Sequence, residues 1–164
     1  MFWIVVLSYW LHLLATVVWL GGMALMALVA WPALGKGSLA ANHWLILQQK
    51  FLPWVNGSLV LLLITGFFQM TTDENYTGFL AVDSLWARAI LIKHLAFGGM
   101  VILTLYMQLS LYPAIERTKL LMEKRPKTAT ATQAELQQKE VRLLRLNLMC
   151  ATAVLFCTAV ATAV

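Results

Sequence analysis

FWIVVLSYWLHLLATVVWLGGMALMALVAW, residues Phe2 to Trp31, contains no Asp, Glu, Lys or Arg. A helix crosses the hydrocarbon of a bilayer with about 20 apolar residues, so this stretch alone places the chain in a membrane. Pro32, Gly35 and Gly37 end it. Working outward, a second apolar stretch runs from about Phe51 to Met70. Its helix can begin as early as Ser38, with Pro53 as a kink. A third runs from about Leu85 to Tyr112, with Asp83 or Ser84 as N-cap and Pro113 as a kink or stop. A fourth is apolar from about Leu146 to Val164. Thr132 and Glu135 have capping-box spacing, which predicts a helix start near Gln133.

The 164 residues are 61% hydrophobic and 12% charged. A soluble domain is about 45–50% apolar and about 25% charged. The length suits one unit, residues 1–164, with no second domain. The expected fold is all-α: an integral membrane four-helix bundle, both termini outside, with cytoplasmic helical extensions of the third and fourth helices. The apolar N-terminus has no basic n-region and reads as a retained helix, not a signal peptide. Cys150 and Cys157 sit roughly 10 Å apart along one helix, too far for a disulfide.

Charge sets the orientation. Ten of the twelve Lys and Arg residues lie in or beside the first and third loops. Basic loops stay in the cytoplasm. The second loop carries Asp73, Glu74 and Asp83, and is expected outside with both termini. The net charge of +5 is thus a topology signal, and nucleic acid is not an expected partner. The basic third loop also suits anionic lipid.

Two histidines interrupt this apolar pattern. At about 1.5 Å per residue, His12 lies roughly 16 Å from Met1 and roughly 30 Å from Pro32. By the same rise, His94 lies roughly 15 Å from Ser84 and roughly 28 Å from Pro113. The first and third helices are parallel under this topology, so the two imidazoles share one depth. Ionisable groups inside membrane helices mark functional sites by default. A pair of imidazoles suits an electron-transferring haem, so the cofactor expected is haem b, ligated by His12 and His94. Trp19, Gly22 and Gly98 follow the ligands at helical spacing and leave room for a flat ring. Arg88, about 9 Å outward of His94, and Lys93, turned about 100° from it, are the groups expected to meet propionates; Lys93 can also ligate. Copper is the alternative, since Met23, Met26, Met100 and Met107 supply soft thioethers. A membrane histidine can also simply bond to a neighbouring helix. That is the reading for His43, and Asn56, Gln69 and Asn147 are expected to join helices.

His12-Leu13-Leu14-Ala15-Thr16-Val17-Val18-Trp19-Leu20-Gly21-Gly22 resembles the first-helix signature of the copper-resistance protein D family. Thr65-Gly66 resembles a pair in that family's second helix, and Trp86-Ala87-Arg88-Ala89-Ile90-Leu91-Ile92-Lys93-His94 resembles its third. The likeness covers most of residues 1–120. The haem-dependent protoporphyrinogen oxidase of the J type is a related family, which shares the histidine-tryptophan-glycine first helix and a lysine in the third. The resemblance implies a four-helix membrane unit and, on the oxidase side, a bound haem b; His12 and Lys93 match family positions and His94 is an addition. The first loop lacks the basic and aromatic run of the oxidases.

The function expected is that of a b-type cytochrome-like protein, an electron carrier more than a stand-alone oxidoreductase. It would work with a redox partner, as part of a larger membrane complex or as a homo-oligomer, in a prokaryotic cytoplasmic membrane. Copper transport and porphyrinogen oxidation are the alternatives.

Overall fold

The computed structural model describes residues 2–30, 41–76, 78–80, 82–122 and 126–164. The first loop, with the expected stop at Pro32, Gly35 and Gly37, lies outside the described residues, as does the His43 side chain. Every regular element among the described residues is helical. α1 is Phe2–Ala24 and runs on as a π-helical segment, Leu25–Ala30. α2 is Ala41–Thr71 and continues through Pro53. α3 is Leu85–Tyr106, α4 is Tyr112–Met122 and α5 is Pro126–Ala163. Four helices are long and apolar enough to cross a membrane: Phe2–Leu28, Gln49–Thr71, Leu85–Thr118 and Ala131–Ala163.

Local chemistry explains the helix boundaries. Ser84 is extended (φ −119°, ψ 162°), and its hydroxyl accepts the Ala87 N–H at 3.0 Å. This cap satisfies one of the free donors at the start of α3. Pro113 does not stop the chain. A π-helical turn, Met107–Leu111, joins α3 to α4, and the Tyr112 N–H donates to the Met107 carbonyl. Within a regular helix Pro113 would clash with the Leu109 carbonyl, and that residue lies in the widened turn. α5 starts at Pro126, earlier than the expected Gln133. Proline is pre-organised for a first helical position, so Thr132 and Glu135 fall inside the helix instead of capping it.

The helices form two hairpins, α1 with α2 and α3 with α5, and α1 touches α5 more lightly. Lipid tails are as apolar as leucine, so membrane helices associate through close packing and hydrogen bonds. Close packing is clearest at Gly22, where an added Cβ would collide with the Phe51 ring. The three expected amides do join helices. Gln69 Nε2 donates to the Ser8 carbonyl at 3.3 Å, and Asn147 Nδ2 donates to Thr104 Oγ1 at 3.0 Å. Asn56 and Gln108 exchange two amide bonds, at 3.3 and 2.7 Å. Trp19, Met100, Leu111, Leu144 and Ala151 belong to one buried cluster. Trp3, Leu109 and Phe156 are 78%, 77% and 71% exposed. Such side chains are at home in lipid, where only backbone polarity must be hidden.

Candidate functional site

Between the two hairpins lies a cavity of about 240 Å³, with walls from α1, α2, α3 and α5. It occupies the half of the bundle nearest the α2–α3 loop. α1 contributes His12, Thr16 and Trp19; α2 contributes Gly66, Gln69 and Met70; α3 contributes Lys93, His94 and Met100.

The His12 ring is positioned from α2. Its Nδ1 lies 2.8 Å from Thr65 Oγ1. The Thr65 hydroxyl has one hydrogen, which it donates to the Leu61 carbonyl at 2.6 Å. The oxygen therefore accepts from His12 Nδ1–H, and Nε2 of a neutral ring is left as a lone pair. A Cβ on Gly66 would sit 3.4 Å from His12 Cε1, so the missing side chain lets α2 approach the ring closely. His94 reaches the same tautomer by another route. Its Nδ1 lies 2.7 Å from the Ile90 carbonyl, one turn back on α3. A carbonyl only accepts, so Nδ1 donates and Nε2 is again free. Phe79 from the α2–α3 loop sets its ring against His94, with centroids 5.4 Å apart at 70°.

Lys93 lies on the same wall and within electrostatic reach of His12 and Cys157. Trp19 is 2% exposed, and its Nε1 is buried with no hydrogen-bond partner among the described residues. Asp73, at the loop end of α2, is the one carboxylate among the described residues on the cavity wall, and its Oδ1 accepts the Asn75 N–H at 3.0 Å.

Three expected site residues fall elsewhere. Arg88 is exposed, and its Nε donates to the Val82 carbonyl at 2.8 Å. The guanidinium is thus held by the loop before α3. Gly22 serves the α1–α2 contact with Phe51. Gly98 is not on the cavity wall, and a Cβ there would meet nothing within 4 Å. Of the four methionines expected to offer thioethers, only Met100 lines the cavity; Met23, Met26 and Met107 are buried in the core cluster. Thr65 escapes the sequence reading as a ring-side residue, and Met70 as a cavity-wall residue. The signal for Met70 is its position one turn beyond Gly66.

A family profile described as copper resistance protein D matches residues 45–161. The chain belongs to the copper resistance protein D family. Together with the four apolar helices, membership identifies a multi-pass membrane protein related to copper resistance. The matched stretch contains Thr65, Gly66, Met70, Lys93, His94 and Met100, while His12 precedes it. No curated protein and no solved structure matches the chain. The matches do not show a relation to the protoporphyrinogen oxidases. The haem b expectation finds no support in them.

Proposed function

We propose that the protein binds copper(I) in the cavity between its hairpins and passes it across the membrane. His12 and His94 supply imidazole nitrogens, and the thioethers of Met70, toward the loop end beside Trp86, and of Met100, deeper in the bundle, line the path on either side. One observation carries the reading. Each histidine commits Nδ1–H to a protein oxygen and keeps Nε2 open, and both rings line one cavity. A ring nitrogen fixed in this way orients the other one for a metal and raises its basicity.

Among the described residues, no three His, Cys, Asp or Glu side chains come together to hold a metal. The donors on the cavity wall are two imidazoles and, at other levels, the thioethers of Met70 and Met100, and such soft groups favour copper(I) over harder cations. Lys93 is on the same wall, so a metal cation would be held by directed lone pairs and not by a general negative potential. Asp73 supplies the negative charge at the loop end, where a cation would arrive. The charge asymmetry of the loops supports an outward-facing acidic end, in a prokaryotic cytoplasmic membrane. Membership of the copper resistance family supports the choice of cargo.

The test is a titration of the purified protein with copper(I) against a chromogenic chelator. Stoichiometric binding is expected, and it should vanish in the His12→Ala/His94→Ala double variant. Binding that survives in that variant would remove the histidines from the site. A reduced-minus-oxidised spectrum of the same sample gives the other decisive outcome: a b-type α band with stoichiometric iron would replace copper by haem.

A further inference from the structure

We propose that the face of α5 around Arg142 and Arg145 is a headgroup site for an anionic phospholipid. The face is formed by Gln138, Val141, Arg142, Arg145, Leu146 and Met149. These residues form one stripe of the helix at spacings of three and four, where side chains stand as neighbours. Both arginines are exposed. Among the described residues, neither guanidinium has a hydrogen bond or an ion pair.

Depth identifies the surroundings. From Ala163, the end of α5, the chain rises about 27 Å to Arg145 and about 32 Å to Arg142. The hydrocarbon core is about 30 Å thick. The same rise of about 32 Å reaches Lys50 from the loop end of α2 and Tyr106 from the loop end of α3. Lysine and tyrosine are typical anchors of the membrane interface. The two arginines therefore stand at headgroup level, at the end of the bundle remote from the cavity.

The stripe continues into hydrocarbon. Leu146, Met149 and Phe156 are 40%, 67% and 71% exposed on the same side of α5. A guanidinium pair above an exposed apolar run fits one phosphate with its acyl chain below. Arginine suits a phosphate because its planar fork makes two parallel bonds. The basic end is the one expected to face the cytoplasm, where anionic lipid attracts basic side chains. Two arginines at the surface correspond to about a 30-fold preference for anionic over zwitterionic lipid.

The test uses the full chain in bilayers of phosphatidylcholine, with and without phosphatidylglycerol. Thermal unfolding and native mass spectrometry of co-purified lipid are the readouts. Phosphatidylglycerol should raise the Tm and remain bound to the wild type and to Arg117→Gln, a control for charge at the same end. It should do neither for Arg142→Gln/Arg145→Gln. Should that variant fail to fold, Arg142→Lys/Arg145→Lys keeps both charges without the fork, and its preference should fall several-fold. A full Tm shift in the Gln or the Lys double variant would overturn the proposal. So would an equal shift from inorganic phosphate in pure phosphatidylcholine, which marks a free-anion site. A change in oligomeric state of the Gln variant without any lipid effect would assign the stripe to a second copy of the chain.

Discussion

His12 and His94 are half-buried on the wall of a cavity with their Nε2 lone pairs open, while Glu140 and Asn147, toward the other end of the bundle, are each 1% exposed. Asn147 is bonded to Thr104, and Glu140 also has an interaction partner. Leu144 and Leu111 fill the space around this part of the core at 3% and 2% exposure. In the packed half Asn147 joins helices through Nδ2, and its Oδ1 is buried without a partner among the described residues. In the other half each ring uses Nδ1 on structure and has no protein partner for the second nitrogen among the described residues. Asn147 is closed off at 1% exposure, whereas the half-buried rings stand beside open space where a ligand can reach them.

Four experiments test this contrast. The largest effect is expected from His12→Ala/His94→Ala. Loss of a single supporting partner typically costs about 10–100-fold in metal affinity, so loss of both ligands should weaken copper(I) binding by far more than about 100-fold, with Tm little changed. A collapse of Tm instead would make the histidines structural. Next is Leu144→Ala in the packed half, expected to cost about 2–5 kcal/mol of stability as a buried cavity, read by denaturant or thermal unfolding. Copper affinity of the folded fraction should not change; a parallel loss would mean that the halves are coupled.

Thr65→Val tests the hinge between structure and function. It removes the acceptor that fixes the His12 ring but keeps the shape, so copper(I) affinity should fall by about 10–100-fold. An unchanged affinity would show that the ring needs no support from α2. The smallest effect is at Gly98. Alanine is favoured over glycine inside a helix by about 0.5–1 kcal/mol, and the site has room for it. Gly98→Ala should raise Tm slightly and leave copper binding intact. Weakened binding would return Gly98 to the site.

The spans were legible because length and freedom from charge suffice to define them, and Ser84 was legible because a serine before an apolar run has a backbone donor to satisfy. The depth match of His12 with His94 led to one cavity. The inward faces were harder to read. The helices carry apolar residues around most of their circumference, so no stripe marks the side that meets protein. Gly22 and Gly98 therefore looked equivalent, although one meets Phe51 and the other meets nothing. Arg88 was placed by depth alone, and sequence spacing does not reveal that Val82 offers its Nε a carbonyl. Met70 went unread because a thioether looks like packing until its neighbours across the helices are known.

The π-helical turn at Met107–Leu111 has a consequence for descent as well as for shape. Its wider winding accommodates one extra residue without lengthening the path. In an alignment of relatives it would read as a one-residue insertion. Deleting a single position there would restore regular winding and leave the phase beyond it nearly unchanged, because a turn closed by i→i+5 bonds takes up one more residue than one closed by i→i+4. Ile115 and Thr118, 5% and 6% exposed, would still face the interior. Relatives one residue shorter in this turn should therefore keep the same inward positions on its far side, and columns matched across it without a gap would compare inward positions with outward ones.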